Sequence, residues 1–205
     1  MPLILSQESV GKELFLWEIS EEIKDFQRII PPSLFAQIME STKLEKRKLE
    51  KLSQVMLLKK AKIPFEQVKY HQNGKPFLDS GLHLSFSHSG EYSTLLVDKN
   101  KCGLDIEYQS EKILRIAPKF THPEEKDLFN TDEYLYWIWS IKEAIFKYFG
   151  EGVAFRDHIQ VKEIDEVKKR AFAVYNGRHG KGIFEMKLLR IKKYYLAYTK
   201  TYSIE

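Results

Sequence analysis

Cysteine is almost absent from this chain of 205 residues, in which Cys102 stands alone. A single thiol forms no internal disulfide and has no companions at metal-ligand spacing, so neither a disulfide framework nor a cysteine metal site is expected, and a reducing compartment is. A buried structural thiol is its expected role. Long apolar runs are missing as well. No stretch approaches the ~20 apolar residues needed to span a bilayer, and the apolar run at 3–5 is too short for a secretory signal. A cytoplasmic location without membrane association follows as the expectation. The chain also has no Pro/Ser-rich linker and no clear internal repeat. Charge of one sign is not in large excess either: 33 Lys and Arg face 29 Asp and Glu, for a net +4. That balance suits an anionic ligand without demanding one, and no nucleic-acid motif accompanies it.

What is present is a sizeable apolar fraction, 43% hydrophobic and 13% aromatic, enough to bury a core. A strand is expected at 13–19, and Pro31-Pro32-Ser33 reads as a helix start with Ser33 as N-cap. The first long helix is expected between 42 and 62, where Leu49, Leu52, Val55, Met56 and Leu58 form the apolar stripe and Pro64 ends it. Asn73-Gly74-Lys75-Pro76 is a turn on composition. Leu82, Leu84 and Phe86 alternate with His83, Ser85 and Ser87, which predicts a half-buried strand. A second strand at 93–97 and the turn Asp98-Lys99-Asn100-Lys101 lead into Cys102-Gly103-Leu104-Asp105-Ile106-Glu107, where the period of two returns.

Beyond Tyr108 helical signals dominate. Thr121-His122-Pro123-Glu124-Glu125 places proline at a first helical position with acids behind it, and Thr131-Asp132-Glu133 opens a further helix that runs through Trp137 and Trp139 to a Gly150 cap. Strand-like runs follow at 159–163, 171–175, 182–189 and 194–199, with turns at Asn176-Gly177 and Lys192-Lys193. Each half thus carries helices and hairpin-like strands. The expected class is α+β with antiparallel sheets, divided near Tyr108 into 1–108 and 109–205.

Three segments carry chemistry. On a strand Asp105 and Glu107 point the same way, and two hard oxygen donors at that spacing suit Mg²⁺; a solvated polar face is the alternative. On the second long helix Trp139, Glu143 and Lys147 share a face at four-residue steps, with Ile138, Ile141, Ile145 and Tyr148 as its apolar stripe. That face is free for a cleft, or Glu143 and Lys147 form an ordinary surface pair. Leu84-Ser85-Phe86-Ser87-His88-Ser89-Gly90 ends a strand in groups that can bond phosphate oxygens, although His88 can equally be a structural histidine. Ser87 and His88 are neighbours on a strand and point apart, which argues against a nucleophile and base pair.

In this order the segments resemble the 4'-phosphopantetheinyl transferases, specifically the longer, monomeric group typified by the surfactin-synthetase activator. The resemblance is carried by Gly74-Lys75-Pro76, Phe86-Ser87-His88-Ser89-Gly90, Gly103-Leu104-Asp105-Ile106-Glu107 and Trp139-Ser140-Ile141-Lys142-Glu143-Ala144 with Lys147, and it is read over most of the chain. It implies a pseudo-dimer of two similar α/β halves with the active site in the cleft between them. The first half would bind the phosphates of coenzyme A; the second would carry the metal-ligand helix and dock the carrier protein. The implied reaction moves 4'-phosphopantetheine from coenzyme A to a serine of an apo acyl or peptidyl carrier protein and releases adenosine 3',5'-bisphosphate.

The same resemblance implies the roles. Asp105, Glu107 and Glu143 would hold Mg²⁺, and Lys147 would neutralise the phosphates. Glu143 is the preferred proton acceptor, with Glu124 or a metal-bound water as alternatives. Lys75, Ser87 and His88 would contact the nucleotide phosphates, and Arg47 the 3'-phosphate, with Lys43, Lys46 and Lys51 as other candidates. The segment 113–130 does not reveal which carrier docks. Three other functions compete: a coenzyme A or carrier-binding module without turnover, a magnesium-dependent phosphohydrolase, and a basic nucleic-acid binder using 43–51 and 187–193. Acids interrupt those last two runs, which weighs against the binder.

Overall fold

The computed structural model describes residues 3–9, 11–125 and 131–204. It is α+β, and every strand pair is antiparallel. The first sheet has the order β1-β2-β6-β5, from β1 (Leu3–Ser9), β2 (Lys12–Glu18), β5 (His83–Ser89) and β6 (Tyr92–Asp98). The second sheet runs β7-β11-β10-β9-β8, from β7 (Leu104–Tyr108), β8 (Ile159–Asp165), β9 (Arg170–Gly177), β10 (Gly180–Ile191) and β11 (Tyr194–Ile204). A two-stranded ribbon, β3 (Lys69–Tyr70) with β4 (Pro76–Phe77), carries the Asn73–Gly74 turn. β7 precedes the expected division at 108, yet its partner in the ladder is β11.

Helices cover one face of each sheet. α1 (Ile23–Gln27), α2 (Pro32–Glu40) and α3 (Glu45–Lys60) enclose a core with Phe15, Trp17, Leu84 and Leu95 of the first sheet. α4 (Glu111–Phe120), α5 (Asp132–Phe149) and α6 (Phe155–His158) pack on the second, where Ile138, Ile141 and Ile145 meet Phe184, Met186 and Tyr195. Between the sheets lies a third core, with Leu14, Leu16 and Leu96 from one sheet against Leu104, Ile106 and Leu196 from the other. Cys102 is buried in it, and burial pushes its thiol up to about 12. Burial of this kind suits a structural thiol.

The shared core explains where the sequence pattern misleads. A half-buried β5 is expected from alternation, but its polar residues Ser85 and Ser87 are buried too, because β7 covers that edge. β6 is buried along its whole length. Pro31 takes the N-cap place of α2 with Pro32 at the first helical position, so Ser33 lies inside the helix; a ring that fixes φ is prepared for that place. Pro123 and Glu124 form a turn, closed by the Glu125 N–H on the His122 carbonyl at 3.0 Å. Residues 126–130, the end of the segment 113–130, lie outside the described residues. The second long helix is found as expected, from Thr131 to a left-handed cap at Gly150 with φ 92°.

Gly103 sets how near β7 comes to α5. A Cβ built there would lie 1.9 Å from the Ala144 carbonyl oxygen and 2.7 Å from the Tyr148 nitrogen, both backbone atoms that cannot swing away. Only glycine allows this approach. Gly103→Ala should therefore destabilise the chain by about 2–3 kcal/mol in urea unfolding, the scale of a forced backbone shift in a packed interior. A loss under about 0.5 kcal/mol would show that the strand and helix can part without cost.

Candidate active site

The residues singled out on β5, β7 and α5 come together because β5 and β7 are the facing edges of the two sheets. Three serines on β5 meet the free N–H groups of β7: Ser85 Oγ accepts from Leu104 at 2.9 Å, Ser87 Oγ from Ile106 at 3.1 Å and Ser89 Oγ from Tyr108 at 3.0 Å. An unpaired strand edge needs acceptors, and here hydroxyls stand in for carbonyls. Two of these serines also donate. Ser87 bonds Asp105 Oδ1 and Ser89 bonds Glu107 Oε1, each at 2.8 Å.

α5 supplies the facing wall. Lys147 Nζ lies 2.7 Å from Asp105 Oδ1 and 2.8 Å from Ser87 Oγ. Glu143 sits one turn before it and lines the same cavity of about 450 Å³, together with Trp139, Asp105, Glu107, Ser87, His88 and Lys75. Burial and the neighbouring Asp105 push the Glu143 carboxyl up to about 7, against the pull of Lys147. Glu107 is raised as well, by burial first and then by Asp105. In this partly dry place a neighbouring carboxylate disfavours ionisation of Glu107 and Glu143.

Whether a divalent ion fits can be judged from these atoms. Asp105 Oδ2 is buried and has no hydrogen-bond partner. An orphaned carboxylate oxygen beside two acids with raised protonation is a hard-oxygen donor set of the kind that suits a divalent cation. Among the described residues no three acidic, histidine or cysteine side chains already converge as a closed ligand cage, and Lys147 neutralises Asp105 in this arrangement. The donor chemistry fits magnesium, with Lys147 and the carboxylates having to adjust around it.

A family model described as the 4'-phosphopantetheinyl transferase superfamily matches residues 101–199. Over those residues, just under half of the chain, the sequence is similar to that superfamily. The 4'-phosphopantetheinyl transferase gsp of Aneurinibacillus migulanus is 32% identical over 112 residues, which are 51% of this chain and 47% of that protein. The 4'-phosphopantetheinyl transferase Sfp of Bacillus subtilis is 32% identical over 111 residues, 50% of this chain and 48% of its own length. HetI, a 4'-phosphopantetheinyl transferase of a Nostoc species, is 30% identical over 111 residues, 46% and 47% of the two chains. The chain thus spans about half the length of the curated relatives it matches. The superfamily match takes in Asp105, Glu107, Glu143 and Lys147 and stops short of the Gly-Lys-Pro and Ser-His-Ser segments.

Lys75 lines the cavity and donates to the Tyr148 carbonyl; burial and then Lys101 lower its ammonium to about 8. Arg47 bonds His88 Nε2 and Glu50, each at 3.0 Å. Glu124 is not brought to the cavity lining: it is exposed, bonds Gln160 and Lys162, and these hold its carboxyl below the usual range. Two residues escaped the sequence reading. Glu50 is a buried acid on a helix whose charge pattern reads as surface. Lys142 is fully buried, with Nζ donating to the carbonyls of Phe120, Phe155 and Ile159 and to Glu125 at 2.8–3.1 Å. It fastens α5 to three neighbouring segments, and its helical spacing from the apolar Ile138 and Ile145 is the sequence signal for its burial.

The raised Glu143 has a consequence for stability. The folded, metal-free chain takes up this proton more readily than the unfolded one, so its stability falls as pH rises from the usual carboxylate range to about 7. Glu143→Gln removes that cost. With chelator present, the variant should exceed the wild type by about 1–3 kcal/mol at pH 8 and by less than ~1 kcal/mol at pH 5 in urea unfolding. An equal difference at both pH values would show that Glu143 is not raised.

Proposed function

We propose that the chain is a magnesium-dependent 4'-phosphopantetheinyl transferase that moves the phosphopantetheine arm of coenzyme A onto a serine of an apo acyl or peptidyl carrier protein. The observation that carries this reading is that Asp105, Glu107, Glu143 and Lys147 line one cavity together with Lys75, Ser87 and His88. The carboxylates suit a divalent cation, and the lysines suit the phosphates the cation would accompany. In this proposal residues 1–108 and 109–205 act as the two halves of a pseudo-dimer, with the cleft between them as the active site. In the same proposal the enzyme is cytoplasmic and monomeric, and the lone buried thiol is in keeping with a reducing compartment.

Asp105, Glu107 and Glu143 would hold the ion, with Asp105 Oδ2 as its free donor. When bound, magnesium supplies charge neutralisation at the pyrophosphate and at the leaving phosphate. The chain's own groups do the rest. Glu143 faces the cavity and takes the proton of the incoming carrier serine, whose oxygen attacks the phosphorus that bears pantetheine. The bond from that phosphorus to the bridging oxygen breaks, and adenosine 3',5'-bisphosphate departs with the electron pair. Lys147 lines the same cavity, where its ammonium would meet the developing negative charge. Lys75 and His88 hold the nucleotide side of the substrate. The partner supplies the nucleophile, so no activated serine or cysteine is required of this chain. Glu124 stands outside this scheme, held by Gln160 and Lys162.

The test is incubation with coenzyme A, magnesium and several apo carrier proteins, read by mass spectrometry of the carrier. A phosphopantetheine adduct on the carrier serine is expected, and Asp105→Ala and Glu143→Gln should each lower its rate by about 100-fold or more, the scale of a lost charge-stabilising contact. No adduct on any carrier would refute transfer. Release of phosphate from coenzyme A with water alone would point to a phosphohydrolase instead.

A further inference from the structure

One buried acid beside the cavity has no part in that scheme. Glu50 lies on α3 with its side chain 6% exposed, and its Oε2 is 3.0 Å from Arg47 Nη1 and 3.1 Å from His88 Nε2. The same Nη1 is 3.0 Å from the same Nε2, so the three groups form one triangle that joins α3 to β5. An exposed Arg–Glu pair at i,i+3 contributes little. This pair differs because the acid is buried, and a buried carboxylate stripped of its partners is costly. The trio is therefore held together by the fold.

His88 Nε2 faces two neighbours that it cannot satisfy together. With a proton, Nε2 donates to Glu50 and opposes the Arg47 N–H; without one, it accepts from Arg47 and turns a lone pair to the carboxylate. Arg47 can leave this contact, since its side chain is 57% exposed. An anion that draws the guanidinium outward removes the competing donor from Nε2. Glu50 then favours the imidazolium, whose Nδ1–H, already a donor in the neutral ring, becomes a charged and stronger donor for the same anion. Burial, Arg47, Lys147 and Lys46 hold the imidazole below its usual range, while Glu50 opposes them.

We propose that Glu50 is a positioning residue for a phosphate monoester: it holds Arg47 and His88 side by side so that both offer donors to one terminal phosphate. Under the function proposed above, on which this rests, that group is the 3'-phosphate of coenzyme A. Glu50 touches no substrate itself.

The experiment compares calorimetric binding of coenzyme A and 3'-dephospho-coenzyme A, without carrier protein, to the wild type, Glu50→Gln and Glu50→Ala. The wild type should prefer coenzyme A. Each variant should weaken coenzyme A by about tenfold and leave the dephospho form within about twofold, the size expected when an orienting partner is lost. Retained dephospho binding also reports an intact fold. In Glu50→Gln the ¹⁵N shifts of the His88 ring should move toward the form with Nε2 unprotonated. Equal weakening of both nucleotides, or an unchanged preference with unchanged ring shifts, would overturn the positioning role. A wild type that binds both nucleotides equally would overturn the phosphate assignment and this role with it, whereas one that binds neither would overturn the coenzyme A reading itself.

Discussion

The join between the edges of β5 and β7 is the constraint on which the site depends. Two antiparallel sheets end there, and neither edge completes the other's ladder with backbone alone. Ser85, Ser87 and Ser89 close the gap by accepting the N–H groups of Leu104, Ile106 and Tyr108. The period of two on β5 matches the period of two on β7, so one register satisfies all three bonds. The same register sets Ser87 beside Asp105 and Ser89 beside Glu107. A one-residue slip would break both sets at once.

Two other residues turn this join into a cavity. Gly103 lets β7 approach the α5 backbone, which brings Glu143 and Lys147 over the two strand acids. Lys142 fixes α5 from its buried side by bonding three carbonyls and Glu125. A lysine taken out of water needs such partners, and here burial still lowers its ammonium to about 8. The two lysines of one motif thus serve opposite ends: Lys142 anchors the helix, and Lys147 neutralises an acid in the cavity.

The cavity brings opposite charges together. β7 and α5 contribute Asp105, Glu107 and Glu143, two of them with raised protonation, while Lys147, Lys75 and His88 line the same space, with Arg47 and Glu50 in contact with His88. Such a lining suits a ligand that is anionic and accompanied by a cation.

Much of this was legible in the sequence, for local reasons. Thr131 and Gly150 bracket α5 because a polar start and a glycine end are written in single residues, and the shared faces of Asp105 with Glu107 and of Glu143 with Lys147 follow from strand and helix periods. The α+β class followed from the succession of elements. What stayed hidden depends on the neighbours. β5 read as half-buried because alternation cannot tell a solvent face from one covered by another sheet's edge. Glu50, in a run of alternating charges, read as surface because its partner His88 lies 38 positions further along the chain. β1 escaped notice altogether, since its residues form a strand only by pairing with β2. The sequence by itself determined which side chains share each strand or helix face, because those periods are set by backbone geometry. Only the tertiary structure decided that three such faces enclose one cavity, because burial, the serine bonds and the raised Glu143 arise from groups distant in the chain.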